Sequence, residues 1–260
     1  MMLVRVFAVV FSMSLRRSLA FRTNLLFEAL ASFLGVGAGL AALGIVYTQA
    51  ETLGGWSLGE AIVLFGTYQI VSGLLWTFIE PNLLWFRGQV VDGALDDILL
   101  RPVPSIFLAS LGTCAPLGVL HVAGGVAVLV VGLGRLEAAP TAGEAMAWLL
   151  MLGIAVAVAW ASRVLLASLA FWAPSLQPDV LYSAVWQFGR YPVSMYRQPL
   201  RFALTWVIPV SLIGTMPAQA LTQGASPIPI LAGPAAAILA MLLANIFWRA
   251  GLRRYTSATS

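Results

Sequence analysis

The feature that most constrains this chain is a succession of apolar runs, each long enough to cross a hydrocarbon layer and nearly free of charge. A bilayer core about 30 Å thick takes roughly 20 apolar residues as an α-helix. Only 9% of the residues are charged and 60% are hydrophobic, and the mean hydropathy is +0.93. Soluble domains carry roughly 25% charged residues, which they need to cover a surface in water. This chain cannot do that, so its solvent is lipid. Runs of this length satisfy their own backbone polar groups as helices. The expectation is an all-α membrane protein forming a single domain over 1–260, with six transmembrane helices at about 25–47, 61–79, 105–131, 145–172, 202–221 and 230–248.

Before the first span, residues 4–21 are apolar but interrupted. Arg5, Ser12 and Arg16 fall within about 40° of one another on a helical wheel, with Phe7, Phe11 and Leu15 opposite. That pattern predicts an amphipathic helix lying in the membrane interface. A secretory or twin-arginine signal is the rival reading of Arg16-Arg17, but a signal needs a shorter apolar core and a cleavage site after it. The first span contains Gly35-Val36-Gly37-Ala38-Gly39, whose Gly-x-x-x-Gly spacing permits close helix packing within the chain or at a dimer seam. Between spans two and three, residues 82–101 interleave Asn82, Arg87, Asp92, Asp96, Asp97 and Arg101 with Leu83, Leu84, Trp85, Val90, Leu95 and Leu99. An amphipathic helix outside the bilayer fits, either resting on the membrane surface or serving as a knob for a partner's groove.

All fourteen basic residues are arginine. They are scattered between apolar runs rather than gathered on one basic face, which argues against nucleic acid as a partner. With six spans, Arg5, Arg16, Arg17, Arg22, Arg87, Arg101, Arg190, Arg197, Arg201, Arg249, Arg253 and Arg254 fall on the side of the termini; Arg135 falls opposite and Arg163 within span four. Positive loops face the cytoplasm, so the N- and C-termini are expected there, in a multi-pass protein of the cell membrane among its lipids.

The absence of lysine excludes a P-loop, whose Lys reaches the terminal phosphates. It also excludes kinase-type sites and Schiff-base chemistry. There is no Gly-x-Ser-x-Gly elbow and no His-Glu-x-x-His, so the chain is expected not to be an enzyme by itself. Arg163 is the clear charge inside a span, where it is a functional suspect: it is expected to snorkel to headgroups or form an intramembrane ion pair, with a direct substrate contact as the rival reading. His121 stands alone mid-span with no ligand at helical spacing to complete a metal site, so it reads as a hydrogen-bonded packing histidine. Glu28, Glu60 and Glu80 sit at span ends, where a carboxylate can reach water, and the single Cys114 reads as a buried structural thiol.

The stretch Asp92-Gly93-Ala94-Leu95-Asp96-Asp97-Ile98-Leu99-Leu100-Arg101-Pro102-Val103-Pro104 resembles the first cytoplasmic loop of ABC-2 type permeases, in the compact subgroup of about this length. Phe188-Gly189-Arg190-Tyr191-Pro192, then Leu200-Arg201, Ile208-Pro209-Val210 and Met216-Pro217-Ala218, are similar to that subgroup's second signature. The resemblance implies the transmembrane permease subunit of an ABC exporter, working as a homo- or heterodimer with two copies of a separate ATPase. No cofactor is expected in this chain; ATP and Mg belong to the ATPase. The link after span two would be the coupling helix, with Arg87, Asp92, Asp96 and Arg101 making polar contacts and Leu95 and Leu99 packing. A broken fifth span with a short return segment is also implied, for which Pro209 and Pro217 are suited, and a substrate path lined by spans one, two and five. An ion- or proton-coupled secondary transporter, or a non-transporting membrane scaffold, are the alternatives; His121 and Arg163 are the intramembrane polar groups a coupled transporter would use.

Overall fold

The computed structural model describes residues 2–20, 22–208, 210–224 and 227–255, and among these every regular element is helical. In chain order these are α1 (Met2–Ala20), α2 (Arg22–Tyr47), α3 (Leu58–Phe78), the short turns α4 (Glu80–Leu83), α5 (Phe86–Val91) and α6 (Leu95–Leu99), then α7 (Ser105–Leu111), α8 (Val119–Leu133) and α9 (Ala142–Ser168). After these come α10 (Pro178–Trp186), α11 (Leu200–Phe202), α12 (Thr215–Thr222) and α13 (Pro227–Leu252). Five stretches have the length and composition of a membrane span: Leu26–Tyr47, Leu58–Phe78, Pro116–Leu133, Ala142–Phe171 and Ile230–Leu252. Capping boxes fix two starts. Ser57 and Glu60 satisfy each other's backbone N–H at α3, and Thr141 and Glu144 do so at α9. Glu60 is thereby spoken for as a cap.

The centre of the bundle is the antiparallel pair α3 and α8. Glycine recurs every seven residues on both sides of the seam: Gly59, Gly66 and Gly73 on α3, and Gly118, Gly125 and Gly132 on or just before α8. A seven-residue repeat keeps one stripe facing a partner along a left-handed crossing, and small residues there let backbones touch. A methyl group on Gly66 would lie 2.6 Å from the Leu129 nitrogen, and one on Gly125 would lie 2.7 Å from the Ile70 nitrogen. Neither backbone can yield without parting the helices. By contrast α2 packs loosely: Leu26, Phe27 and Phe33 each stay more than two-thirds exposed. Of its glycines, Gly39 lies against the Phe65 ring, while Gly35 and Gly37 face open space.

The expected third span, 105–131, is broken into α7 and α8 ahead of Pro116, which has no N–H to continue a helix. Asn82 repairs the break. Its amide donates to the carbonyls of Phe78 and Thr113, both at 2.9 Å, and its Oδ1 accepts from the Thr113 backbone at 2.7 Å and hydroxyl at 2.8 Å. The Ala115 nitrogen donates to the Thr77 carbonyl at 2.8 Å. At this same end α1 places Phe7 and Phe11 against Phe78, while Arg5, Ser12 and Arg16 are exposed.

The stretch 202–221 is not one helix. It divides into a π-helical turn at Ala203–Val207, a 3₁₀ turn at Val210–Leu212, and α12. Instead, residues 179–194, expected to lie outside the spans, run the length of α3. Asp179 meets Arg163 beside Glu80, Trp186 Nε1 donates to Ser72 Oγ at 3.0 Å, and Gly189 lies on the Tyr68 ring. Ser194 Oγ then donates to the Gly54 carbonyl at 2.8 Å, in the loop before α3. Helix, 3₁₀ turn and extended chain rise about 1.5, 2 and 3.3 Å per residue, enough here to match α3. Arg197 and Arg201 follow Ser194 at the Gly54 end, so they do not stand with Arg87 and Arg101 as the sequence count assumes. From there α12 packs Ala218 and Leu221 against Trp56 and Leu64, still toward the Gly54 end.

The seam makes a paired prediction. Gly125→Leu should destabilise the detergent-purified protein by about 3 kcal/mol, at the upper end of overpacking costs, whereas Gly37→Leu, with nothing near it, should leave the thermal unfolding midpoint unchanged. Equal midpoints for the two variants would contradict the close seam.

Candidate functional site

Two features converge on Glu80, the residue that begins the link after α3. The first is a buried ion cluster. Arg163, on the inward face of α9, is only 5% exposed and pairs through Nη2 with Glu80, itself 8% exposed. Its Nη1 reaches Asp179 Oδ1 at 3.3 Å. The guanidinium carbon lies 4.4 Å from the centre of the Tyr182 ring, whose hydroxyl is 2.8 Å from Ser162 Oγ. Two carboxylates and an aromatic face thus compensate one desolvated cation. The expectation of an ion pair or snorkelling at Arg163 resolves to the ion pair. Glu80 does not reach water freely, as its place at a span end had indicated, because α4 turns it inward against α9.

The second feature is a cavity of about 590 Å³ between α2, α3 and residues 183–191. Phe65, Tyr68, Trp76 and Trp186 give it aromatic walls, and Ser32, Gln69 and Gln187 add polar groups. Glu80 and Arg163 face one end of it, and Arg190 and His121 also line it. His121 Nδ1 lies 3.0 Å from Ser32 Oγ, tying α8 to α2 across the cavity. Trp76 Nε1 donates to Glu28 at 3.2 Å. Arg190 sits with its guanidinium 5.7 Å from the Tyr68 ring centre.

The link itself folds back onto the bundle. Leu95 is fully buried among Leu83, Phe86 and Trp248, so it anchors the link and presents nothing to a partner, contrary to the contact role the resemblance implies for it. Leu99 is partly exposed, and Leu100 beside it is 85% exposed. Trp85 and Val91 are also exposed. Asp92 and Arg101 point outward, and Arg87 is exposed while its Nε donates to the Pro174 carbonyl. Asp96 is half-buried against Tyr255, whose hydroxyl is pushed above the ordinary phenol range by desolvation first and the Asp96 carboxylate second. Pro217 is buried in the first turn of α12, where a missing N–H interrupts no hydrogen bond, so it starts a helix rather than breaking a span. Pro209 lies outside the described residues. Cys114 is a buried free thiol at the break before α8.

Long apolar helices around a partly charged cavity, with an amphipathic link at one end, define an all-α, multi-pass membrane protein. More particularly, the family model described as "ABC-2 family transporter protein" matches residues 33–259, so the chain belongs to that family and is a permease of an ABC-type transporter. No curated protein and no solved structure matches it.

The ion cluster is testable by a double-mutant cycle. Arg163→Met should destabilise the fold by about 3–5 kcal/mol, since it strands the buried Glu80 carboxylate, and adding Glu80→Gln should recover part of that loss. Additive effects in the unfolding measurements would show that the two groups do not depend on each other.

Proposed function

We propose that this chain is the transmembrane subunit of an ABC exporter, working beside a second permease that is either another copy or a different chain. Two copies of a separate ATPase drive it, and the ATP and Mg chemistry is theirs. The absent lysine is the sequence support for assigning hydrolysis elsewhere. The observation that carries the reading is the link at residues 80–101. Its buried side, Phe86 and Leu95, holds it to the bundle, while its outer side offers Trp85, Leu99 and Leu100 with Asp92 and Arg101 around them. An apolar centre with a charged rim is what a partner's groove recognises. Glu80 joins this link to Arg163 and the cavity, so a push on the link reaches the path directly.

Residues 179–194 form the fifth crossing in this reading, and 200–222 return from the far side into the outer half of the bundle, ending at Trp56. The six crossings keep both termini on one side. Arg135, Arg197 and Arg201 then lie at the Gly54 end, while Arg163 and Arg190 are inside. The remaining arginines gather at the Glu80 end, which the positive-inside rule makes cytoplasmic. The helix α1 lies in that interface, with Arg5 and Arg16 toward headgroups. The membrane is the cell membrane.

Pull-down of the solubilised chain from its host should recover a P-loop ATPase. Leu100→Glu should reduce that recovery about tenfold or more, the scale of a central interface residue, without changing the elution profile of the permease. Undiminished recovery would remove the link from the contact. Transport in proteoliposomes driven by an ion gradient without ATP would instead favour a secondary transporter.

A further inference from the structure

We infer that the cavity between α2 and α3 binds an amphiphile with an anionic head, the head held by Arg190 and the apolar body lying along Phe65, Tyr68 and Trp76. This rests on the permease reading only for the step of export; the binding site stands on its own geometry. The decisive contrast is between two arginines. Arg163 has two carboxylate partners, and both ion pairs found among the described residues belong to it. Arg190 has neither. Its Nε is buried without an acceptor, and its neighbour is the Tyr68 ring at 5.7 Å.

Tyr68 is at the middle of α3, so Arg190 stands near mid-depth of the bundle. A guanidinium there has the Tyr68 ring and hydroxyl beside it but no carboxylate, and without a counter-charge it costs several kcal/mol unless a cavity supplies water or an anion. The planar fork suits a phosphate or carboxylate held by two hydrogen bonds. At the Glu80 end, the cluster of one guanidinium and two carboxylates carries a formal charge of −1, which turns an anionic head away. Gln69 and Gln187 in the same cavity offer further amide donors, and the aromatic rings match a flat or acyl body. A cationic head beside Arg190 meets a like charge, and at the Glu80 end both carboxylates are already held by Arg163.

Calorimetric titration of the full chain in dodecyl maltoside with dodecyl phosphate tests this directly. Dodecyl phosphate should bind saturably, and dodecyltrimethylammonium should not. Arg190→Gln should weaken the phosphate about tenfold or more, the loss of a charge-assisted bond, and Arg190→Lys should restore part of the affinity. Thermal unfolding of each variant shows whether the fold is retained. If Arg190→Gln is unstable, the lysine variant against wild type carries the comparison, and it should then be the weaker binder. Unchanged affinity in a folded Arg190 variant, or equal binding of the cationic probe, would overturn the proposal. Competition by phosphatidylglycerol, but not phosphatidylcholine, would identify a membrane lipid as the source of the anion; its absence would point to a soluble amphiphile, with the site standing in both cases. None of these readings involves the ATPase, so failure of the permease reading would appear in the pull-down alone.

Discussion

The fold turns on one guanidinium. Arg163 reaches from α9 to Glu80 at the start of the link and to Asp179 at the start of the segment that climbs along α3. In water such pairs contribute little. Arg163 and Glu80 are buried deeply enough that separating them strands a charge, and the partly exposed Asp179 adds a third element to the same cation. That is a constraint of specificity more than of stability. It fixes where the link leaves the bundle and where the cavity wall begins, and both consequences follow from the choice of a charge where an apolar residue would have packed.

Around that point the bundle is unevenly tight. The glycine stripe brings α3 and α8 to backbone contact, and α9 and α13 pack Ala155, Ala159 and Ala244 in a small-residue core. On the other flank α2 touches α3 through Gly39 and Phe65 and through Leu43, Ala61 and Ile62, then leaves a gap lower down. The cavity is that gap. It exists because close packing is spent on one side of α3 and withheld on the other, and His121 with Ser32 is the polar stitch that closes part of it.

Much of this was legible in the sequence. Hydropathy found the positions of four long helices closely and the apolar stretch within the third, and the phases of Arg5, Ser12 and Arg16 gave the outer face of α1. The seven-residue glycine spacing on α3 and α8 is equally present in the sequence, but it is masked by the local density of glycine at Gly35–Gly39, most of which faces open space. That residues 179–194 lie along α3 is hidden in the sequence for a physical reason. Asp179 and Arg190 read as solvent-facing by hydropathy, but one is neutralised by an arginine distant in sequence and the other lines a cavity. Hydropathy averages a window and cannot see a partner outside it. Leu95 failed similarly: an amphipathic pattern tells that one face is apolar, not whether that face meets its own bundle or another chain.

The two arginines of the interior also explain why a permease can be poor in charge and still use it. Each remaining charge acts over a long range, because few others are present to screen it and the surroundings are of low polarity. Arg163 with Glu80 and Asp179 makes one end of the cavity formally negative, and Arg190 leaves its middle positive. A displacement of the link that drew Glu80 away would leave Arg163 with Asp179 alone and take that end of the cavity from a formal charge of −1 to zero. The affinity for an anionic head would then depend on the position of the link. Such a dependence couples an event at the surface to one inside the bundle without any rearrangement of the tightly packed α3 and α8, which is the side of the structure least able to move.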